Sequence, residues 1–438
     1  MRVWSSLSPM SSRQGWRTGA CIAAFVATCV ASDVLPLHGQ ATSGLSRVDR
    51  AAAGFDDAPL QAATAVLQKH VDEHKVAGAV AMAARHGQLG YVAAVGYQDI
   101  EQRVPMTERT LFRIYSMTKP VTAVAVMMLV EQGRLQLDDP VAKYLPEFST
   151  VVVRDASGAT HPPARAITIR DLLLHISGLE HRTSALYRDA QVRSRSIDLS
   201  QFVRNIVRVP LMDEPGVRYR YSESTTVLGR LVEVVSGQTF DVFLQTRIFT
   251  PLKMVDTGFF ATPAQRPRLA TVYTPKEDGT IQRAPDTAPM TMNGMVAQGA
   301  YVDGPRQCFA GGAGLLSTAP DYARLARMFA SGGALDGVRI LSPKTVQLMT
   351  SNFVGNLNND GRTGFGLGFE VVEHMGRSGR YGSPGAFGWG AAYYANYWVD
   401  PQEDMVGLYF SQFLPYTIND LQATAGRYLG AERAERAQ

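Results

Sequence analysis

The sequence predicts an α+β fold: one antiparallel sheet flanked by helices, built from both ends of the chain, with a helical lobe formed by the middle. Strand-like stretches occupy 77–97 and recur, rich in β-branched and aromatic residues, over 365–413. Helical periodicity dominates the chain between them. No repeat or long linker intervenes, so the simplest packing joins the two ends in one sheet and leaves a cleft between sheet and lobe, where pockets tend to form. Residues 59–430 thus read as a single unit, with the sheet drawn from 59–115 and 320–430, the lobe from about 116–319, and a disordered tail at 431–438.

Arg2, Arg13 and Arg17 precede an apolar run over 20–31, and small residues near Ala31 and Ala41 offer cleavage sites. This pattern fits a secretory signal over 1–41, against the competing reading of a disordered extension, and its apolar core is too short to span a bilayer. The mature protein is then expected to be periplasmic or secreted. Of three cysteines, Cys21 and Cys29 fall in this segment, so Cys308 alone would remain. Neither an internal disulfide nor a cysteine metal cluster can form after cleavage.

Residues 42–58 read as a flexible linker, and 60–74 as a first surface helix from its apolar spacing. Strands at 77–84 and 89–97 meet at Arg85-His86-Gly87-Gln88, a hairpin with a turn glycine. Val121 to Glu131 forms one apolar helix closed by Gly133, and a helix opening from the Thr168 cap runs into His175. Helices follow at 198–207, 224–236 and 319–330, with a glycine-rich bend at 311–314. Residues 365–372, 393–400 and 405–413 read as neighbouring antiparallel strands, 385–392 as a glycine-rich turn leading into a strand, and 421–429 as a closing helix.

The formal net charge of +4 is small for 438 residues and the basic residues are scattered. Nothing favours nucleic acid or a membrane surface as partner. A small-molecule substrate is expected.

Chemistry concentrates in Arg113-Ile114-Tyr115-Ser116-Met117-Thr118-Lys119-Pro120. A serine and a lysine at this spacing share one helix face, and a weak hydroxyl nucleophile needs such a neighbouring base. At a helix start the serine also lies among amides that have no intrahelical acceptor, at the positive end of the dipole. Burial among Met117 and Val121 is expected to depress the lysine pKa toward the working range. A helix-capping serine is the commoner reading of the same residues, so the motif needs support from elsewhere. Tyr221 supplies a phenol just before the helix at 224–236 that could share a proton with Lys119. The small residues of Gly388-Trp389-Gly390-Ala391-Ala392 allow a backbone N–H to approach a substrate carbonyl closely.

Taken in order, these motifs resemble the serine β-lactamase and penicillin-binding-protein superfamily, in its class C-like branch with the family VIII carboxylesterases. The resemblance spans about 60–429 and includes Leu172-Leu173-Leu174-His175-Ile176-Ser177-Gly178-Leu179, Pro215-Gly216 with Tyr219 and Tyr221-Ser222, Pro251-Leu252-Lys253-Met254 with Asp256-Thr257-Gly258-Phe259, and Gly311-Gly312-Ala313-Gly314. It implies a β-lactamase/transpeptidase-like fold and an acyl-enzyme at Ser116, with Lys119 and Tyr221 shuttling protons and either one as base. The oxyanion would be held by the Ser116 N–H and one from the Trp389 turn, at Ala391 or Ala392.

Departures from the superfamily pattern favour esters over β-lactams. Glu223 stands where Tyr-x-Asn would place an asparagine, and Trp389-Gly390-Ala391 replaces Lys-Thr-Gly. Tryptophan suits an apolar acyl or aryl group, whereas asparagine and lysine suit the amide and carboxylate of a penicillin. Ala391 is itself unusual, because the esterases often keep a second glycine there. The leading expectation is a carboxylesterase acting on a small-molecule ester, without cofactor or metal and with at most weak β-lactamase activity. The alternatives are a β-lactamase or D-Ala-D-Ala carboxypeptidase and a non-catalytic penicillin- or peptidoglycan-binding receptor. An α/β-hydrolase is excluded by the lack of G-x-S-x-G, and a zinc enzyme by the lack of H-E-x-x-H with His175 and His181 wrongly spaced.

Overall fold

A computed structural model describes residues 53–181, 183–194, 196–286, 307–379 and 381–414, together with 50, 298 and 302. The expected signal segment, the closing helix at 421–429 and the tail lie outside the described residues. The linker reading of 42–58 fails at its end. Ala53 and Phe55 are buried and helix α1 already runs Asp57–Asp72. Gly90 makes this possible, since a Cβ there would meet the Phe55 ring at 2.3 Å.

Strands β1 (Gly78–Arg85) and β2 (Gln88–Asp99) pair as an antiparallel hairpin. Both turn residues, His86 at φ 48° and Gly87 at φ 75°, are left-handed, which matches the strand twist of a two-residue turn. A short β3 (Val104–Pro105) forms the edge, where a proline costs no ladder bond. Helix α2 (Thr118–Glu131) follows, and every side chain from Thr118 to Leu129 is buried. A helix apolar all round belongs at the centre of a molecule.

The lobe contains α3 (Ile169–Leu173), α4 (Leu199–Ile206) and α5 (Ser224–Ser236), with α5 packed on α2, α3 and α4. Thr168 and Asp171 form a capping box on α3, and Gly237 ends α5 at φ 75°. Helix α6 (Ala319–Ala330), capped by Thr318, packs on the sheet, and its Tyr322 hydroxyl donates to the Met117 carbonyl at 2.8 Å.

The remaining strands are β4 (Gly364–Phe365), β5 (Glu370–Val371), β6 (Phe387–Ala391), β7 (Ala395–Asp400) and β8 (Met405–Phe410). The sheet order is β4-β5-β6-β7-β8-β1-β2-β3, so the two chain ends meet at the β8–β1 pair, with Val80 opposite Phe410. The antiparallel sheet flanked by helices, with a helical lobe, is the expected fold.

Two local readings need correction. Residues 365–372 are two short strands separated by a turn, because Gly368 takes φ 108° and a Cβ on Gly366 would meet the Met349 carbonyl at 2.1 Å. Residues 387–391 are a strand rather than a turn. Gly388 is there for close packing, since a Cβ would meet the Tyr397 carbonyl at 2.2 Å. The true turn is Ala392-Tyr393-Tyr394, with Tyr394 left-handed at φ 65°.

Candidate active site

Ser116 sits in a 3₁₀ turn, Tyr115–Met117, that leads directly into α2. Tyr115 adopts φ 40°, a strained value for a non-glycine residue, and is fully buried with its ring 4.5 Å from Tyr393 at the β6–β7 turn. That contact sets the nucleophile turn against the end of β6. Ser116 itself is 8% exposed.

Lys119, one turn on and almost wholly buried, places Nζ 3.4 Å from Ser116 Oγ and donates to the Gly312 carbonyl at 2.7 Å. Tyr221, arriving from the loop before α5, donates its hydroxyl to Ser116 Oγ at 2.8 Å. Lys119 Nζ also stands 4.5 Å from the Tyr221 ring centre. Lys119 from the next helical turn and Tyr221 from a distant loop thus converge on the Ser116 oxygen. Burial pushes the Tyr219 phenol well above its ordinary pKa of 10.0, with the nearby Tyr221 adding to the effect.

Trp389 on β6 lies 5.5 Å from the Tyr221 ring and 5.3 Å from Phe365, and forms an aromatic wall beside the serine. Gly390 is exposed and Ala391 buried. The Ala391 carbonyl accepts from the Tyr394 N–H at 3.1 Å, across the turn toward β7. In a trans peptide the C=O and the following N–H point opposite ways, so the Ala392 N–H is directed away from β7. This end of β6 packs against the Ser116 turn.

Glu223 does not face the cleft as a bare anion. It is 2% exposed, its Oε1 lies 3.3 Å from Arg193 Nη1, and its Oε2 accepts from Thr226 Oγ1 at 2.6 Å. Thr226 in turn accepts from the Gly312 N–H at 3.3 Å, so this buried pair abuts the residue whose carbonyl receives Lys119. Sequence reasoning missed Arg193, which carries no local signal, and missed the Gly312 carbonyl, whose glycine-rich bend was visible without its role. Among the described residues no cluster of histidine, cysteine and carboxylate side chains could hold a metal.

A family model described as Beta-lactamase matches residues 63–428. Protein Rv1367c of Mycobacterium tuberculosis (strain ATCC 25618 / H37Rv) is 36% identical over 384 residues, covering 83% of this chain and 92% of that protein. Esterase EstB of Burkholderia gladioli is 31% identical over 375 residues, covering 81% of this chain and 90% of its own length. The solved structure of EstCE1, described as a hydrolase with promiscuous acyltransferase activity, superposes with a TM-score of 0.73 at 30% identity, over 86% of this chain and 98% of its own.

Proposed function

Because the chain belongs to the beta-lactamase family, we propose that it is a serine hydrolase that cleaves carboxylic esters through an acyl-enzyme at Ser116. The observation that carries this reading is the convergence of the Tyr221 hydroxyl at 2.8 Å and Lys119 Nζ at 3.4 Å on Ser116 Oγ. An inert binding protein has no need of two proton-carrying groups on one hydroxyl. The similarity to Esterase EstB and to EstCE1 supports the ester as the bond attacked.

In the proposed cycle Ser116 Oγ forms a bond to the ester carbonyl carbon and passes its proton to the Lys119–Tyr221 pair. The tetrahedral oxyanion is held by the Ser116 and Ala392 N–H groups, and the loss of one such donor typically costs about 3 to 4 kcal/mol. The pair then returns the proton to the alkoxide as the C–O bond breaks. Water attacks the acyl-serine, gives its proton to the same pair, and the pair restores Ser116 as the acid leaves.

Trp389 favours an apolar acyl or aryl group beside this centre. An ester also needs less activation than an amide, since an alkoxide leaves more readily than an amine. A panel of p-nitrophenyl esters measured beside nitrocefin and a D-Ala-D-Ala peptide tests the reading. Short aryl esters should give the highest kcat/KM, and a protein that prefers nitrocefin or the peptide would overturn it.

A further inference from the structure

Helix α3 ends at Leu173, with Leu174 as its cap, and the next residue, His175, is left-handed at φ 55°. This position after a helix is commonly glycine, because a side chain there strains the backbone. Here a histidine occupies it and is only 1% exposed. A side chain kept where glycine is the cheaper choice needs a reason in its contacts.

Those contacts surround Tyr221. The His175 carbonyl accepts the Arg220 N–H at 2.8 Å, and its Nδ1 accepts the Ser222 N–H at 3.2 Å. Its ring lies 4.8 Å from the Tyr221 ring. One residue therefore holds the residue before the tyrosine, the tyrosine ring and the residue after it. Behind it, Ser222 Oγ meets Ser224 Oγ at 2.8 Å and Ser224 Oγ meets Ser177 Oγ at 2.8 Å, a buried hydroxyl chain that ties 222–224 to 175–177. Accepting at Nδ1 assigns the neutral Nε2–H tautomer. Burial, reinforced by the Lys119 charge, pushes the His175 pKa well below its ordinary 6.5, so the acceptor persists at neutral pH.

We propose that His175 is the positioning residue for Tyr221, holding the phenol on Ser116 through the Ser222 N–H and the ring contact. The proposal rests on the acyl-enzyme reading and adds to it the group that fixes one of the two proton carriers. A misplacement of about 1 Å in such a site can cost roughly 100-fold in rate.

The test uses the full chain and three substitutions. His175→Asn tolerates the left-handed backbone and offers an oxygen close to where Nδ1 stood. His175→Phe keeps the ring without the acceptor, and His175→Gln places its polar atoms nearer the Nε2 position. Thermal unfolding first establishes that each variant is folded. Turnover of p-nitrophenyl butyrate and the rate at which a fluorescent phosphonate labels Ser116 are then compared. The Asn variant should keep kcat within about tenfold of wild type, whereas Phe and Gln should lose about 100-fold in kcat and in labelling rate, with KM little changed. If Phe does not fold, the Asn-to-Gln contrast decides the matter alone. A labelled wild type whose Phe or Gln variant matches it, or whose Asn variant falls as far as Gln, overturns the positioning role. A wild type that takes no label at Ser116 overturns the acyl-enzyme reading and this proposal with it.

Discussion

On one side of the site Ser116 and Lys119 come from a single continuous stretch, the 3₁₀ turn and first turn of α2, whose helical spacing brings them together. On the other side Tyr221, His175, Glu223 and Arg193 come from three separated segments, held together by side-chain hydrogen bonds and a buried ion pair. The first wall is buttressed by apolar packing around a fully buried helix. The second depends on polar groups that must find partners inside the protein. A substitution on the first wall should therefore change chemistry and leave stability nearly untouched, while one on the second should disturb stability or geometry first.

The largest effect expected is at the nucleophile. Ser116→Ala should reduce ester turnover by about 10⁴-fold or more, as removal of a serine nucleophile does elsewhere, while the free energy of unfolding stays within about 1 kcal/mol of wild type. Steady-state kinetics and urea denaturation on one preparation check both halves. Turnover near wild type would remove Ser116 from the reaction, and a collapse of stability would break the contrast between the walls.

Arg193→Met probes the opposite wall. It removes the guanidinium 3.3 Å from the Glu223 carboxylate, which is 2% exposed, and breaking a buried pair from one side typically costs roughly 3 kcal/mol. Adding Glu223→Gln to the same chain should recover most of that loss, because the stranded charge is then gone. Equilibrium denaturation of both variants reads this directly. If Arg193→Met is as stable as wild type, the pair is not what holds this wall.

The same contrast explains what was legible in the sequence. Ser116 and Lys119 could be placed together because helical spacing fixes their neighbourhood, and the union of the two chain ends in one sheet followed from where the strand-like stretches lay. Tyr221 was recognisable as a motif residue, but the distance that brings its hydroxyl to Ser116 is set by tertiary packing. Arg193 gave no signal, since nothing local ties it to Glu223. The strand at 387–391 was misread because glycines usually mark turns, and only the close approach of Tyr397 reveals Gly388 as a packing residue. Likewise Phe55 looked like linker, for its partner Gly90 lies across the sheet hairpin.

The two walls should also differ in the sign of their pH dependence. Asp321 on α6, whose element braces the nucleophile turn through Tyr322, has its carboxyl pushed up to about 6 by burial, against an ordinary 3.8. The folded state holds that proton more tightly, so this group's stabilisation is full below pH 3.8 and is lost as pH rises toward 6. His175 works the other way. Its folded pKa lies well below 6.5, so its contribution is present above pH 6.5 and is lost as pH falls, when the unfolded chain takes up the proton first. Asp321→Asn keeps an oxygen for the Asp256 N–H and the Thr257 hydroxyl, which now share Oδ2. Relative to wild type it should gain on the order of 2 kcal/mol between pH 4 and pH 7, while His175→Asn should gain as pH drops from 7 to 5. Denaturation at several pH values, taken as differences from wild type, checks the two signs. Equal slopes in both variants would show that the walls are not separately linked to protons.

The smallest expected effect concerns selectivity, and it separates the charge at Glu223 from the aromatic surface at Trp389. An anionic Glu223 in place of asparagine would, if it faced a bound ligand, repel the carboxylate carried by most β-lactams, and its replacement would then raise nitrocefin turnover. The structure removes the premise, because the carboxylate is buried, matched by Arg193 at 3.3 Å and bonded to Thr226 at 2.6 Å. A charge already compensated inside the protein exerts little force on a ligand in the cleft. Trp389, whose ring lies 5.5 Å from Tyr221, is the residue that stands in sequence where the superfamily pattern has a lysine, and on the proposed function it is this aromatic surface that disfavours a β-lactam. Glu223→Asn should therefore change the ratio of kcat/KM for p-nitrophenyl butyrate to that for nitrocefin by less than about threefold, a difference under 1 kcal/mol. The variant should nonetheless unfold more easily, since the Arg193–Glu223 ion pair is lost, so rates are to be taken well below its unfolding midpoint. A rise in relative nitrocefin turnover of more than about tenfold, or 1.4 kcal/mol, would return the repulsion to Glu223 and show that the lobe wall sets specificity as well as position.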